Sequence, residues 1–214
     1  MDSVGLIVVS PMPALYCRGK AMTDWKAKDM EALLLCYWRF SRGCDIVAVE
    51  FEYRSADMIS YCAAERTVFE TEIKISIADM KREARKQKHS FINKELWETP
   101  LKRRWWVNKF YFAVPVKIEK KAIELRDRLF PYAGLLVIDD YERYIQFNPR
   151  PYGPFPVREV KRASGVPAVE IGQETILELS KGMATSLGKT AYELMLTRHE
   201  LHHDDVEVLR GFRM

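Results

Sequence analysis

The stretch Arg54–Ser76, RSADMISYCAAERTVFETEIKIS, decides the expected fold. Its branched and aromatic residues predict two strands, Met58–Cys62 and Thr67–Ser76. We expect them to pair as an antiparallel hairpin that turns near Ala64-Glu65, although that turn contains no Gly, Asn or Pro. The register matters, because a slip of one residue would move every side chain to the other face of the sheet.

This hairpin brings two carboxylates and a lysine together. Its register sets Asp57 directly opposite Glu72, and such opposed residues have Cβ atoms roughly 4.5–5.5 Å apart. Lys74 shares the face of Glu72 because strand side chains alternate. The two carboxylates can hold a divalent ion through hard oxygen ligands, with water and a phosphate oxygen completing the coordination. The lysine can orient the attacking water or offset charge that develops on the phosphate. A solvent-facing ion cluster is the alternative interpretation.

A further acid lies on the preceding predicted strand, Cys44–Tyr53. If this strand also pairs antiparallel, around Tyr53-Arg54, Glu50 falls opposite Asp57. Glu50 can then supply another metal ligand or position water. The alternative is an exposed acid on an edge strand.

The spacing Asp57, then Glu72-x-Lys74 about fourteen residues later, resembles the motif of the PD-(D/E)XK nuclease superfamily, which has the restriction-endonuclease-like fold. Within it the chain is most similar to the MmcB-like DNA repair nucleases. Ala56 stands where the motif's name expects proline. The matching stretches follow in the same order: SADMISY at Ser55–Tyr61, ETEIKIS at Glu70–Ser76 followed by ADM, NKFYFAVP at Asn108–Pro115, and AGLLVID at Ala133–Asp139.

The resemblance implies an endonuclease that hydrolyses DNA phosphodiester bonds with Mg²⁺ or Mn²⁺, in repair, recombination or a mobile-element or defence context. It implies that Asp57, Glu72 and the backbone carbonyl of Ile73 ligate the metal. Lys74 is the catalytic lysine, and Glu50 assists. The alternative is a catalytically inactive nuclease fold that serves as a DNA- or protein-binding accessory factor.

The hydrophobic pattern of the whole chain predicts the same α/β architecture, a mixed sheet flanked by helices with core order αβββαβ. We expect the nuclease-like domain over residues 1–148, and a Pro-rich linker with a helical C-terminal extension over 149–214. The remaining predicted elements are a helix from Thr23 or Asp24 to about Arg42 that Gly43 ends, a helix Ile77–Lys88, a strand Phe110–Val116, a helix Ile118–Leu129, a strand Gly134–Ile138 and a helix Thr175–His199.

Two basic stretches are candidates for DNA contact. The predicted helix Ile77–Lys88 carries cations that can contact backbone phosphates. Paired tryptophans beside three cations, in KRRWW, can stack on bases and bind phosphates together. The alternatives are a solvated helix face and a tryptophan that anchors the next strand. The residues expected to bind DNA are Lys81, Arg85, Lys88, His89, Arg103, Arg104 and Trp105.

Composition places the chain among soluble globular proteins. It has 214 residues, of which 48% are hydrophobic and 30% charged, and a formal net charge of +4 that permits nucleic-acid binding. The 4 cysteines form no C-x-x-C pair, which indicates reduced thiols in the cytoplasm. No segment reaches the roughly 20 apolar residues that cross a membrane. A homodimer is one arrangement that we consider, since nucleases that cut both strands of DNA often use two active sites.

The segment His199–His203 matches H-E-x-x-H, the pattern of zinc metalloproteases. On a helix His199 and His203 share a face and can bind zinc, with Glu200 as general base. Its polar flanks and the short sequence that follows argue against this interpretation. A solvated helix end is the alternative.

Overall fold

The computed structural model describes residues 25–51, 56–86, 88–89, 107–140, 155–165, 171–185 and 187, with backbone alone at positions 50 and 51. This part of the chain is α/β, with a six-stranded mixed sheet flanked by helices. No helix in the described ranges is long and apolar enough to span a membrane.

The strands lie in the sheet in the order in which they occur in the chain. Neighbours pair antiparallel from β1 to β3, parallel from β3 to β5, and antiparallel between β5 and β6. Their bounds are β1 Ile46–Phe51, β2 Ala56–Cys62, β3 Thr67–Ile73, β4 Lys109–Pro115, β5 Gly134–Ile138 and β6 Val157–Lys161.

Helix α1, Ala27–Cys36, continues into a π-helical turn at Tyr37–Ser41 and covers one face of the sheet. Trp38 packs on this face and its indole N–H donates to the Thr71 hydroxyl at 3.1 Å. Gly43 adopts a φ of +68°, which favours glycine and ends the helix as the sequence predicts. The predicted caps, Thr23 and Asp24, lie outside the described residues.

Helices α2, Ile77–Glu83, and α3, Glu119–Leu129, pack on the opposite face. The hydroxyl of Ser76 caps α2 by accepting from the amide of Asp79. The predicted continuation of α2 to Lys88 is wrong. After Glu83 the amides bond three residues back, as in a 3₁₀ turn, and the chain leaves the helical path.

Two elements beyond residue 155 belong to the same fold. Strand β6 pairs with β5, so the sheet continues past the proline-rich segment, and the sequence did not predict this strand. Helix α4, residues 173–185, lies within the predicted extension. Its Leu179 is fully buried and belongs to one apolar cluster with Ile59 and Val68 of the sheet. The extension therefore packs on the main domain.

Candidate active site

The β2–β3 hairpin has the predicted register. Met58 pairs with Thr71 and Cys62 with Thr67, so the same register sets position 57 opposite position 72. The turn between the strands is closed by the amide of Arg66, which donates to the carbonyl of Ala63 at 3.2 Å. The chain therefore makes this hairpin without the usual turn residues, and Arg66 adopts a φ of 48° to do so.

Asp57 lies where the backbone pairing of β2 and β3 ends. Its Oδ2 accepts a hydrogen bond of 2.7 Å from the amide of Ile73, on the strand that carries Glu72 and Lys74. Burial raises the pKa of Asp57, and the charge of Glu72 raises it further. The carboxylate is thus held close to a second carboxylate in a partly desolvated position.

Glu72, near the end of β3, and Lys74, directly after the strand, form a buried ion pair. Glu72 is fully buried, and its Oε2 lies 2.7 Å from Nζ of Lys74. Burial acts to lower the pKa of Lys74, but the charges and hydrogen bonds of Glu72 and Glu83 outweigh it and raise that pKa. Lys74 is therefore a cation at neutral pH.

Two glutamates that the sequence analysis did not single out complete a cluster with Asp57 and Glu72. Glu70 precedes Glu72 by two residues, so strand alternation already places it on the same face. Glu83 comes from the end of α2, and both are buried. We call these four residues the acidic cluster.

Lysines from the segment after α2 complete the network. Nζ of Lys86 lies 3.2 Å from Glu72 Oε2 and 2.9 Å from Glu83 Oε2. Nζ of Lys88 lies 2.6 Å from Glu70 and 3.2 Å from Glu83, and it also contacts Glu72 Oε1. Both carboxylate oxygens of Glu72 are thus bound by ammonium groups.

His89 links Glu83 to a tyrosine of the segment between α3 and β5. Its Nε2 lies 3.1 Å from Glu83 Oε1, and its Nδ1 is hydrogen-bonded to the hydroxyl of Tyr132. Burial lowers the pKa of His89, against the opposing effect of Glu83. Burial also raises the pKa of Tyr132. The neutral imidazole therefore accepts from the Tyr132 hydroxyl at Nδ1 and donates to Glu83 from Nε2.

Lys88 and His89, two of the residues expected to bind DNA, bind members of the acidic cluster. Because α2 ends at Glu83, the chain turns both side chains inward, and His89 is only 2% exposed. Lys81 and Arg85 do lie on the surface. The other expected DNA-binding residues, Arg103, Arg104 and Trp105, lie outside the described residues.

Glu50, the remaining catalytic candidate, is described by its backbone alone. Val49 pairs with Met58 and Phe51 with Ala56, which sets position 50 opposite Asp57 as expected. The segment His199–His203 lies outside the described part of the chain, so its zinc-binding interpretation stays a prediction.

The acidic cluster lies between two apolar clusters on the same face of the sheet. Phe110 and Phe112 of β4 belong to the cluster under α2 and α3. Ile59 of β2 belongs to the one under α4. Burying so many charges is unfavourable unless each is paired and hydrogen-bonded. A polar network at this position is therefore a candidate site rather than ordinary packing.

The donor set fits a divalent cation of the Mg²⁺ type. Among the described residues, no group of three or more His, Cys, Asp and Glu side chains is arranged to hold a metal ion. Mg²⁺, however, is usually bound by one or two carboxylates with water and substrate phosphate, and Asp57 and Glu72 supply two. The described cluster also sets four carboxylates against the three ammonium groups of Lys74, Lys86 and Lys88, which leaves an excess of negative charge when all are ionised.

No protein-family model and no curated protein matches the chain. Among solved structures, it is similar to the SPO1766 protein of unknown function from Silicibacter pomeroyi, at 16% identity and a TM-score of 0.47. The match covers 80% of this chain and 93% of that chain. The chemistry of the site has to be inferred from its own residues.

Proposed function

We propose that the protein is a Mg²⁺- or Mn²⁺-dependent deoxyribonuclease with a restriction-endonuclease-like core. The observation that supports this is the hairpin register, which brings Asp57, Glu72 and Lys74 to one place on the sheet. Two carboxylates that can hold a metal ion and a cation that can stabilise the transition state are suited to hydrolysis of a phosphodiester.

Each of these residues has a distinct role in the proposal. Asp57, Glu72 and the carbonyl of Ile73 would hold the ion, which supplies Lewis acidity and a bound water of lowered pKa. Lys74 remains protonated, so it positions the attacking water and offsets charge on the phosphate rather than acting as a base. Glu50 is the further acid beside Asp57.

DNA would approach over the surface that α2 presents. Lys81 and Arg85 are exposed there, and the side chain of Lys86 is 41% exposed while its ammonium reaches Glu72. Contacts of this kind bind phosphates without reading sequence. Arg103, Arg104 and Trp105 are proposed from the sequence to bind phosphates and stack on bases.

A cleavage panel tests the activity. Linear, nicked, flapped, four-way and single-stranded DNA are incubated with Mg²⁺ or Mn²⁺. We expect Asp57→Asn, Glu72→Gln and Lys74→Ala to lower the cleavage rate by about 100- to 1,000-fold. Lys121→Ala on α3, where the lysine is exposed, serves as the matched control. Intact DNA in every reaction, or undiminished cleavage by Lys74→Ala, would contradict the proposal.

A second candidate is a catalytically inactive nuclease fold that binds DNA or a protein. It is favoured by the lysines that already bind both oxygens of Glu72, because an incoming ion must displace one of them. This function predicts that Asp57→Ala and Glu72→Ala leave binding unchanged and that the wild-type protein has no cleavage activity. A homodimer with two sites is part of the first proposal, and light scattering measures it.

A further inference from the structure

A chain of hydrogen bonds runs behind the candidate catalytic lysine. It starts at the hydroxyl of Tyr132, passes through the imidazole of His89 and the carboxylate of Glu83, and ends at the ammonium of Lys74. The four residues come from separate parts of the chain: the residue after β3, the end of α2, the segment after α2 and the segment before β5. No sequence motif joins them.

Glu83 is fixed through both of its oxygens. Oε2 lies 2.9 Å from Nζ of Lys74 and 2.9 Å from Nζ of Lys86. Oε1 lies 3.1 Å from Nε2 of His89 and 3.2 Å from Nζ of Lys88. A carboxylate bound on both sides cannot rotate without breaking several charge-assisted hydrogen bonds, so it provides a fixed acceptor for Lys74.

His89 is held equally firmly. Its ring lies between aromatic neighbours, with ring centroids 5.1 Å from Phe110 and 5.0 Å from Phe130. The Tyr132 hydroxyl donates a hydrogen bond to Nδ1. The proton of the neutral imidazole is therefore on Nε2, which faces Glu83. The tyrosine thus selects the tautomer that can donate to Glu83.

Lys74 needs such support because its own geometry is loose. A lysine side chain has four flexible carbons and a compact ammonium that binds as a point charge. Glu72 alone would be a weak anchor once its charge is shared with a bound cation. Glu83 supplies a second, independent negative charge, 2.9 Å from the ammonium.

We propose that Glu83, His89 and Tyr132 form a positioning relay that fixes the ammonium of Lys74 beside Glu72. The role for this relay in cleavage rests on the proposed nuclease function. In this proposal the three members act through Lys74 and do not contact the phosphate themselves. Their effect is on the orientation of Lys74, and therefore on the turnover rate rather than on DNA binding.

The sharpest test removes a single oxygen atom. Tyr132→Phe breaks the relay at its far end, and the matched control Tyr111→Phe removes a buried hydroxyl that donates to Glu159 at 2.6 Å on the opposite face of the sheet. Acylation of Lys74 by an amine-reactive reagent, followed by mass spectrometry, measures its ordering without any cleavage. We expect the labelling rate to rise several-fold in Tyr132→Phe and to stay unchanged in Tyr111→Phe.

Cleavage kinetics supply the second measurement. Tyr132→Phe and Glu83→Gln are expected to lower kcat about tenfold with little change in KM, whereas Tyr111→Phe leaves both constants unchanged. His89→Gln retains an amide that can donate to Glu83, so it should keep most of the wild-type kcat. His89→Phe keeps a ring but has no hydrogen-bond donor for Glu83. Its kcat should therefore fall below that of His89→Gln.

The outcomes separate the two proposals. If the wild-type protein cuts no DNA but labelling of Lys74 rises in Tyr132→Phe, the relay's ordering of Lys74 is upheld and the nuclease function alone fails. If the wild-type protein cuts DNA and Tyr132→Phe changes neither labelling nor kcat, the relay is overturned. Circular dichroism verifies that each variant is folded. If Glu83→Gln does not fold, the result for Tyr132→Phe alone tests the relay.

Discussion

The backbone amide of Ile73 donates a hydrogen bond of 2.7 Å to Oδ2 of Asp57, at the point where β2 and β3 cease to pair. The side chain of Asp57 thus takes the place of the next backbone hydrogen bond between the two strands. The carboxylate is held beside Glu72, and its pKa is raised by burial and by that neighbouring charge. An ionised group held in this way lowers the stability of the fold, as expected of a site kept for function.

Asp57→Asn should therefore stabilise the protein at pH 7, by about 1 kcal/mol. The asparagine oxygen still accepts from Ile73, but the charge beside Glu72 is gone. A carboxyl whose pKa is raised by folding opposes folding only when ionised, so the gain should shrink as the pH falls from 7 to 4. Urea unfolding at both pH values measures the effect. Asp45→Asn is the control, because exposed Asp45 also accepts a backbone amide, from Ala63 at 2.7 Å. A destabilised Asp57→Asn at pH 7 would contradict the prediction.

The lysines of the network should differ sharply in their effect on stability. Lys88 is nearly buried among three carboxylates, so Lys88→Gln leaves uncompensated charges and should lower the free energy of unfolding by about 3–5 kcal/mol. Lys86 is 41% exposed, and Lys86→Gln should lower it by less than about 1 kcal/mol. Denaturant unfolding measures both, with Lys121→Gln as an exposed control. Equal losses for Lys86→Gln and Lys88→Gln would show that the two ammonium groups are not distinguished by burial.

Lys86 also competes with any cation that binds Glu72, since its ammonium lies 3.2 Å from Oε2. We expect Lys86→Gln to tighten Mn²⁺ binding by up to about fivefold, because less than about 1 kcal/mol of attraction to the lysine must be given up. Isothermal titration calorimetry measures the Kd directly. Arg82→Gln is the control, since Arg82 is exposed on α2 and pairs with Asp79 instead. Unchanged or weaker Mn²⁺ binding would argue against an ion at Glu72.

The sequence predicted the hairpin and its register because strand alternation is local. Asp57, Glu72 and Lys74 lie within a single run, and period-two alternation and one turn are enough to bring them together. The same alternation already placed Glu70 beside Glu72. Glu70 was not predicted as a site residue because it lies outside the spacing Asp57…Glu72-x-Lys74.

The inner half of the site could not be predicted in this way. Lys86 and Lys88 reach Glu72 only because α2 stops at Glu83 and the following turn points back at the sheet. No glycine or proline marks the end of α2 in the sequence, because tertiary packing determines where this helix ends. His89 and Tyr132 lie 43 residues apart in the sequence, so no periodic pattern of residue types links them.

Strand β6 was missed for a different reason. Its sequence, VREVK, is short and carries three charges, and its side chains are half-buried or exposed at the edge of the sheet. Such edge strands have weak alternation, and charge there protects against pairing with other chains. Only the register with β5 identifies the strand.

His89 should make the stability depend on pH near neutrality. Its pKa is lowered in the folded protein, mainly by burial, so the unfolded chain binds the proton first as the pH falls below about 6.5. Stability should therefore decline from pH 7.5 to pH 5.5, and His89→Gln should decline less. The pKa of Glu83 is lowered by His89, Lys88 and the other lysines despite burial, so its contribution is lost only below about pH 4.5. Thermal unfolding across this range measures both phases. Equal slopes for the wild-type protein and His89→Gln between pH 7.5 and 5.5 would contradict the assignment.

Helix α4 offers a matched pair of leucines that tests whether the segment after residue 155 is integral to the domain. Leu179 is fully buried in one apolar cluster with Ile59 and Val68, whereas Leu177, two residues earlier, is 56% exposed. Leu179→Ala should lower the free energy of unfolding by about 2–5 kcal/mol, because it leaves a cavity under the helix. Leu177→Ala should change it by less than about 0.5 kcal/mol. Urea unfolding followed by tryptophan fluorescence, which reports on buried Trp38 in the cluster under α1, measures both variants. If Leu179→Ala leaves that transition unmoved, the packing of α4 does not stabilise the sheet.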